Sequence, residues 1–260
     1  MPADVPKPPT AAREAPAHSR ADGADLVLAA LDHLRGVSSA GVGTLGAPTI
    51  ARQKEDLREW ARGLGLLLNA SGIVPRLERG GQEHDWFREG ERVFKVTRDG
   101  IFGLAPGMDL ALVSSDMEAR RFQLWEATPI EYLERLLLQN ELVPGLNRLE
   151  GIIDQGDDLA IVTSQPRFDI VPVTLAEIEA WFAAQGFQKV TPCGYYRDED
   201  NLGVFDAHAK NLVRFEDTLI PFDVIPCRPA GGFLQFIADT LAAGHSIAAV
   251  RTVSTSPRSS

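Results

Sequence analysis

Three polar residues in the last quarter of the chain have the types and the spacing that phosphoryl transfer requires. Asn211 follows Asp206 by five positions, and Asp223 follows Asn211 by twelve. One carboxylate can accept the proton of an attacking hydroxyl, while an amide oxygen and a second carboxylate hold Mg²⁺ against the phosphates. Asp and Asn also favour turns, which is the structural alternative for each of these residues. The short apolar hairpin between Asn211 and Asp223 favours the chemical interpretation.

A lysine and a glutamate earlier in the chain are candidates to complete this set. Lys95 lies at the centre of an apolar strand, where it either faces phosphates in a cleft or, as is common, protects a sheet edge from aggregation. Glu134 shares one face of a predicted helix with Ile130 and Leu137. Its carboxylate therefore either needs a buried partner or reaches solvent from the edge of that face. If the helix packs on the strand, we expect the partner to be Lys95.

The apolar spacing and the helix start signals predict the elements that position these residues. Thr128-Pro129-Ile130-Glu131 is a capping box with proline at the first helical position, which marks a helix start. Helical spacing predicts helices over 25–34, 51–68, 129–142, 174–185 and 233–243. A period near two predicts strands over 92–97, 148–153, 159–163, 194–197, 203–205, 212–215 and 219–224. The order of these elements predicts an α+β fold with two lobes.

Composition and charge limit the class of protein. The chain has 260 residues, 44% of them hydrophobic, and its 26 basic and 36 acidic side chains give a formal net charge of −10. These values are typical of a globular protein, and the acidic charge argues against nucleic acid or an anionic membrane as the main partner. No apolar run is long enough to cross a bilayer, and two cysteines cannot form a disulfide framework. We therefore expect a soluble, cytoplasmic protein.

Composition also predicts how the chain is divided. Residues 1–22 are rich in proline and residues 251–260 in serine and threonine, so both ends are predicted to be disordered tails. Residues 23–70 are interpreted as an accessory helical segment. Residues 71–250 are predicted to form one compact domain, whose first lobe covers about 71–165 and whose second, reduced lobe covers about 166–250.

Five segments of this domain carry a family resemblance: 93–97 (VFKVT), 131–137 (EYLERLL), 161–166 (IVTSQP), 205–211 (FDAHAKN) and 221–225 (PFDVI). Together they resemble the protein-kinase-like fold, and most closely the serine/threonine/tyrosine kinase domain found in polyvalent proteins of bacterial mobile elements and phages. The segment from Asp206 to Asn211 is also similar to the Asp-Leu-His-Pro-Gly-Asn loop of small-molecule kinases such as aminoglycoside phosphotransferases. The resemblance implies a two-lobe fold with an antiparallel sheet in the first lobe and a reduced second lobe.

The same resemblance implies which residues would bind ATP. Lys95 would contact the α- and β-phosphates, and Gly80 and Gly81 would lie in the loop that covers them. Ser164 and Gln165 would lie in the hinge between the lobes. The backbone of that hinge would bond to the adenine.

The resemblance also implies which residues would carry the reaction. Asp206 would be the catalytic base, and Asn211 and Asp223 would be the Mg²⁺ ligands. Glu134 would orient Lys95. The implied activity is ATP- and Mg²⁺-dependent phosphorylation of Ser, Thr or Tyr hydroxyls of a protein.

Two other interpretations stay open. The chain could be a pseudokinase or a nucleotide-binding interaction module, or it could be a small-molecule kinase of the aminoglycoside-phosphotransferase type. A binding module has no need of all five polar residues of the predicted site, so their joint presence favours the enzyme. These residues are Lys95, Glu134, Asp206, Asn211 and Asp223.

Overall fold

The computed structural model of the chain describes residues 23–40, 50–98, 100–108, 122–169, 171–244 and 251–252. This part combines helices with largely antiparallel sheets, which confirms the predicted α+β class. The predicted tail over 1–22 and residues 253–260 lie outside the described residues. Among the helices of the described part, none is long and apolar enough to cross a membrane.

The elements are numbered in chain order. The helices are α1 (Gly23–Ala40), α2 (Ile50–Gly63), α3 (Ala70–Ile73), α4 (Pro129–Leu142), α5 (Leu175–Ala184) and α6 (Gly231–Ala242). The strands are β1 (His84–Glu89), β2 (Arg92–Thr97), β3 (Leu104–Met108), β4 (Phe122–Glu126), β5 (Arg148–Asp154), β6 (Leu159–Pro166), β7 (Gln188–Thr191), β8 (Gly194–Arg197), β9 (Leu202–Phe205), β10 (Leu212–Phe215), β11 (Thr218–Pro221), β12 (Ile225–Cys227) and β13 (Arg251–Thr252). Every helix and strand predicted from the spacing has a counterpart among them.

An antiparallel sheet with the strand order β1-β2-β6-β5 positions the lysine. Lys95 is opposite Thr163 of β6, and Val93 is opposite Gln165. Directly opposed residues of an antiparallel pair point to the same face, as do alternate residues of one strand, so these four side chains share a face. Because β2 has neighbours on both sides, Lys95 does not protect a sheet edge, and that alternative is wrong.

Helix α4 begins where the capping box predicts. The hydroxyl of Thr128 accepts a hydrogen bond from the backbone N–H of Glu131 at 3.3 Å, and the carboxylate of Glu131 accepts one from the backbone N–H of Thr128 at 2.7 Å. Pro129 occupies the first turn. These bonds satisfy N–H groups that would otherwise have no partner at the helix start.

Helices α1 and α2, which belong to the segment predicted over 23–70, contribute buried residues to one hydrophobic cluster with α4 and β5. Leu31 of α1 and Leu57 of α2 are fully buried in one cluster with Leu133 of α4 and Ile152 of β5. The apolar stripe of a helix indicates that a partner exists but not which element it is. Here α1 covers α4 and β5, so α4 is held between α1 and the sheet.

The second half of the chain brings two acidic residues to one place. β9 and β12 are antiparallel neighbours in the sheet ordered β12-β9-β8-β7, with Phe205 opposite Ile225. Asp206 directly follows β9, and Asp223 lies just before β12. Because the two strands are antiparallel, the end of β9 lies beside the start of β12, and Asp206 and Asp223 lie at the same end of this strand pair.

One strand extends beyond its predicted limit, and another lies where no strand was predicted. β6 continues to Pro166, so Ser164 and Gln165 lie inside a strand rather than in a hinge. In the predicted tail over 251–260, Arg251 and Thr252 pair in parallel with β4.

Candidate active site

A cleft of about 710 Å³ brings together most of the residues that the sequence singles out. Seven of the nine line it: Gly80, Gly81, Lys95, Gln165, Asp206, Asn211 and Asp223. Glu134 and Ser164 do not. The wall also includes residues that the sequence did not point to, among them Glu83, Arg135 and Phe222.

Lys95 forms an ion pair with Asp223 across the cleft. Its Nζ lies 2.7 Å from Oδ1 of Asp223 and 5.8 Å from the centre of the Phe222 ring. Withdrawal from bulk water would raise the pKa of Asp223, but the charges of Lys95 and Arg135 outweigh this effect and lower the pKa. Asp223 is therefore an anion at neutral pH.

The predicted pair between Lys95 and Glu134 is wrong. Glu134 instead forms an ion pair with Arg35 of α1, with 2.6 Å between the charged atoms and both side chains well exposed. The sequence placed Glu134 on the helix face that meets the sheet, but in the fold this side of α4 meets α1 and solvent. Glu134 therefore does not orient Lys95 in this arrangement.

Arg135, the next residue along α4, enters the cleft in its place. Its Nη1 donates to both carboxylate oxygens of Glu83, at 3.0 and 2.8 Å, and only 5% of the side chain is exposed. Its Nη2 lies 3.7 Å from Oδ1 of Asp223. The helix thus supplies the site with a cation rather than with the predicted anion.

Ser164 lies outside the cleft, which corrects its predicted place in the hinge. It sits in the middle of the sheet, opposite Phe94 on one side and Arg148 on the other. Arg92 donates to its hydroxyl at 2.8 Å and to its carbonyl at 3.0 Å, and the hydroxyl itself donates to Glu150. With its carbonyl and hydroxyl engaged in this way, Ser164 is not placed to bond a base in the cleft.

Of the two predicted hinge residues, Ser164 and Gln165, it is Gln165 that lines the cleft. Its Oε1 is buried and has no hydrogen-bond partner among the described residues. A buried acceptor without a partner is unfavourable by about 1–3 kcal/mol. The segment that follows, from Pro166 to Asp169, continues the same wall.

The loop after β9 holds Asp206 in an unusual conformation. Its φ is 56°, in the left-handed region that residues other than glycine seldom adopt. Nδ2 of Asn211 donates both to the carbonyl of Asp206 at 2.8 Å and to its Oδ2 at 2.7 Å, and Nε2 of His208 lies 3.4 Å from Oδ1. Asn211 thereby fixes the carboxylate and keeps its own Oδ1 as an acceptor.

The pKa of Asp206 is raised, in contrast to that of Asp223. Burial is the main cause, while His208 and the hydrogen bond from Asn211 act in the opposite direction. The carboxylates of Asp206 and Asp223 therefore differ in how readily they take up a proton. Such a difference is the usual sign of separate chemical tasks.

The glycine loop is tied to β1 by an arginine. Arg98 donates to the carbonyl of Gly80 at 3.3 Å and to the carboxylate of Asp85 at 3.0 Å, and the N–H of Gly80 donates to the same carboxylate at 3.3 Å. Both backbone groups of Gly80 are thus engaged within the protein. A Cβ at Gly81 would meet nothing within 4 Å, so its backbone faces open space in the cleft.

The donor set fits a magnesium ion carried by a phosphate group. Asp223 offers a carboxylate and Asn211 an amide oxygen, and Mg²⁺ is usually held by one or two such groups together with phosphate oxygens and water. In the part of the chain that the structure describes, no cluster of three His, Cys, Asp or Glu side chains could hold a metal without such help. Elsewhere in the wall of the cleft, the unpartnered Oε1 of Gln165 suits a base with an amino group.

Sequence reasoning missed Glu83 and Arg135 for different reasons. Glu83 lies in an irregular segment, where no periodicity assigns a face. Arg135 follows Glu134 directly, and because it lies four positions after Glu131 the sequence is equally compatible with a surface pair between these two side chains. One usable signal was the apolar type of Tyr132 and Leu138, three positions away on either side, because residues at this spacing share a helix face with Arg135.

An α+β fold whose cleft combines a lysine, a hydrogen-bonded Asp–Asn loop and a second aspartate has the features of a kinase-like phosphotransferase. Residues 121–226 match the model of a particular family, the serine/threonine/tyrosine kinases found in polyvalent proteins, which confirms the resemblance. The matched range contains Asp206, Asn211 and Asp223, whereas Lys95 and the glycine loop precede it. No curated protein and no solved structure gives a significant match to the chain.

Proposed function

We propose that this protein is an ATP- and Mg²⁺-dependent phosphotransferase that acts on Ser, Thr or Tyr hydroxyls of a protein. One observation carries the proposal: Lys95, Asp206, Asn211 and Asp223 line a single cleft, although more than a hundred positions separate the first from the others. The family match over 121–226 supports the same class of reaction.

Asp206 is the proposed catalytic base. Its carboxylate is held by Asn211, and its raised pKa brings it closer to neutral pH than an ordinary aspartate, which favours proton acceptance from a hydroxyl. The strained backbone at this position is of the kind that surrounding contacts maintain at functional sites. The substrate hydroxyl would approach the cleft at this carboxylate.

Lys95 is the proposed phosphate-binding residue. Gly81 belongs to the loop proposed to cover the phosphates, and Gln165 is the proposed contact of the nucleobase. The lysine is within 2.7 Å of an anion in the free protein, so it is placed for a second anion at the same point. Asp223 and Oδ1 of Asn211 would hold Mg²⁺, which when bound neutralises charge on the transferred phosphoryl group.

A pseudokinase is the second candidate, and the pairing of Lys95 favours it. In this arrangement Lys95 is bound to Asp223, and Glu134 is bound to Arg35 on the surface. An active protein kinase needs its strand lysine paired with a helix glutamate. A protein that binds nucleotide without transfer would not require that pair.

The deciding experiment uses purified protein, labelled ATP, Mg²⁺ and a generic protein substrate. Transfer by the wild type and its loss in Asp206→Asn and Lys95→Met support the proposal. Equal labelling by all three proteins would refute the assignment of the site. Binding of ATP without transfer, abolished in Asp223→Ala, would instead identify a pseudokinase, and transfer to an aminoglycoside but not to protein would identify a small-molecule kinase.

A further inference from the structure

The guanidinium of Arg135 is a buried charged group in the cleft wall that the proposed reaction does not use. It holds Glu83, in the loop that follows Gly80 and Gly81, through two hydrogen bonds. Its Nε donates to the carbonyl of Val224 at 3.3 Å, and its Nη2 lies 3.7 Å from Asp223. One side chain of α4 therefore contacts the glycine loop and the segment of the proposed metal ligand together.

This arrangement requires an arginine. The five N–H donors of a guanidinium lie in one plane and can reach separate acceptors, whereas a lysine presents a single charged nitrogen. Gly103 leaves room for the group, because a Cβ at that position would lie only 3.3 Å from Nη1. A buried guanidinium is tolerated only where its charge and its donors are matched, and Glu83, Asp223 and Val224 provide that match.

A second residue of α4 reinforces the contact on one side. Gln139, one turn after Arg135, donates to the same carbonyl of Val224 at 2.6 Å. Its Oε1 in turn accepts from Asn147 at 2.8 Å, which fixes the amide. The segment that carries Asp223 is thus attached to α4 at two points, whereas Glu83 is attached through Arg135.

We propose that Arg135 is the positioning residue that couples the glycine loop to the metal-binding segment. Helix α4 then sets the site through this cation, and Glu134 has no part in it. The inference rests on the proposed function, because the position of Asp223 matters for activity only if Asp223 holds a metal. The coupling itself, however, is a property of the free protein and can be measured without a ligand.

The first test is amide hydrogen exchange of the free protein. Arg135→Lys keeps the charge, but its donors lie on one nitrogen and cannot reach the separate positions of Glu83, Val224 and Asp223, and Arg135→Gln removes the charge. Glu134→Gln is the matched control on the same helix. We expect faster exchange in both 80–83 and 223–227 in the Arg135 variants and no change in the control. Faster exchange in only one segment, or the same change in the control, would overturn the proposal.

The second test measures ATP affinity by calorimetry with and without Mg²⁺. Mutation of a residue that orients a metal ligand typically lowers the metal affinity by about 10- to 100-fold. We therefore expect Arg135→Lys to reduce the Mg²⁺-dependent gain in ATP affinity by about tenfold, with the Mg²⁺-free affinity nearly unchanged and Glu134→Gln behaving as wild type. An unchanged gain would contradict the proposed positioning role. If the wild type binds no ATP at all, the proposed function fails, and the exchange experiment still decides whether Arg135 couples the two segments.

Discussion

Asp206 differs in its neighbours from Glu83 and Asp223, which also line the cleft. Glu83 is paired with Arg135 and Asp223 with Lys95. Among the described residues, the basic group within ion-pair distance of Asp206 is the imidazole of His208, which carries a charge only when protonated. Burial raises the pKa of Asp206, whereas at Asp223 the charges of Lys95 and Arg135 outweigh burial and lower the pKa, so one carboxylate is suited to exchange a proton and the other to stay charged.

This difference predicts how activity depends on pH. The base acts only when ionised, so kcat/KM should fall as the pH drops through the pKa of Asp206, at a higher pH than for an ordinary aspartate. His208 lowers that pKa, so His208→Gln should move the acid limb to higher pH. Measurement of kcat/KM as a function of pH for the wild type and for His208→Gln checks this prediction. An acid limb that does not move would contradict it.

The two glycines of the loop predict losses of stability of very different size for the same substitution. A Cβ on Gly80 would lie 2.1 Å from the carbonyl oxygen of His84, whereas one on Gly81 would meet nothing within 4 Å. Gly80→Ala should therefore lower the free energy of unfolding by about 1–3 kcal/mol, and Gly81→Ala by less than about 0.5 kcal/mol. Urea denaturation of both variants provides the measurement. Equal stabilities would show that the close approach at Gly80 is relieved without cost.

At the scale of elements, α4 is enclosed on more than one side. α1 and the sheet cover Leu133 and Leu136, while Arg135 and Gln139 face the segment around Val224. Successive residues of a helix are about 100° apart, so neighbouring positions such as 134 and 135 point in quite different directions. The apolar pattern therefore established that α4 is amphipathic but left open which of two adjacent charged residues enters the cleft.

Packing of α1 against α4 predicts that this helix stabilises the whole domain. Leu31 is fully buried in the shared core, whereas 44% of Leu28 on the same helix is exposed. Leu31→Ala should lower the free energy of unfolding by about 2–5 kcal/mol through the lost burial and the cavity it leaves. Leu28→Ala, the matched control, should change it by less than about 0.5 kcal/mol. Chemical denaturation measures both variants. An effect at Leu31 as small as that at Leu28 would indicate that α1 is an accessory segment.

For the whole molecule, the histidine beneath the glycine loop links stability to pH. Nε2 of His84 lies 3.0 Å from the hydroxyl of Tyr132. Burial, together with the nearby charges of Lys95 and Arg135, lowers the pKa of His84 to about 3 from its ordinary value of 6.5. Between these two values the unfolded chain binds a proton that the folded protein does not.

Stability should consequently fall as the pH decreases from about 6.5 towards 3. Linkage gives a slope of about 1 kcal/mol per pH unit for one such group. Unfolding free energies at pH 7 and at about pH 5 should differ less for His84→Gln than for the wild type, because the variant lacks this group. Identical pH dependence in both proteins would exclude His84 as the cause.

The sequence determined the elements and the spacing of the catalytic loop. The capping box at Thr128 and Glu131 specified the start of α4, alternation specified β2, and the positions of Asp206, Asn211 and Asp223 indicated a phosphate and metal site. These features depend on interactions between residues a few positions apart, which a single sequence displays directly.

Tertiary structure alone decided how the charges of the site are paired. Lys95 meets Asp223, 128 positions later, Glu134 meets Arg35 of α1, and Arg135 meets Glu83. Each pairing depends on which faces of separate elements pack together, and in particular on α1 covering the side of α4 that carries Glu134. Local periodicity specifies that a helix has a buried face, but the partner of that face is chosen by long-range packing, which no short stretch of sequence encodes.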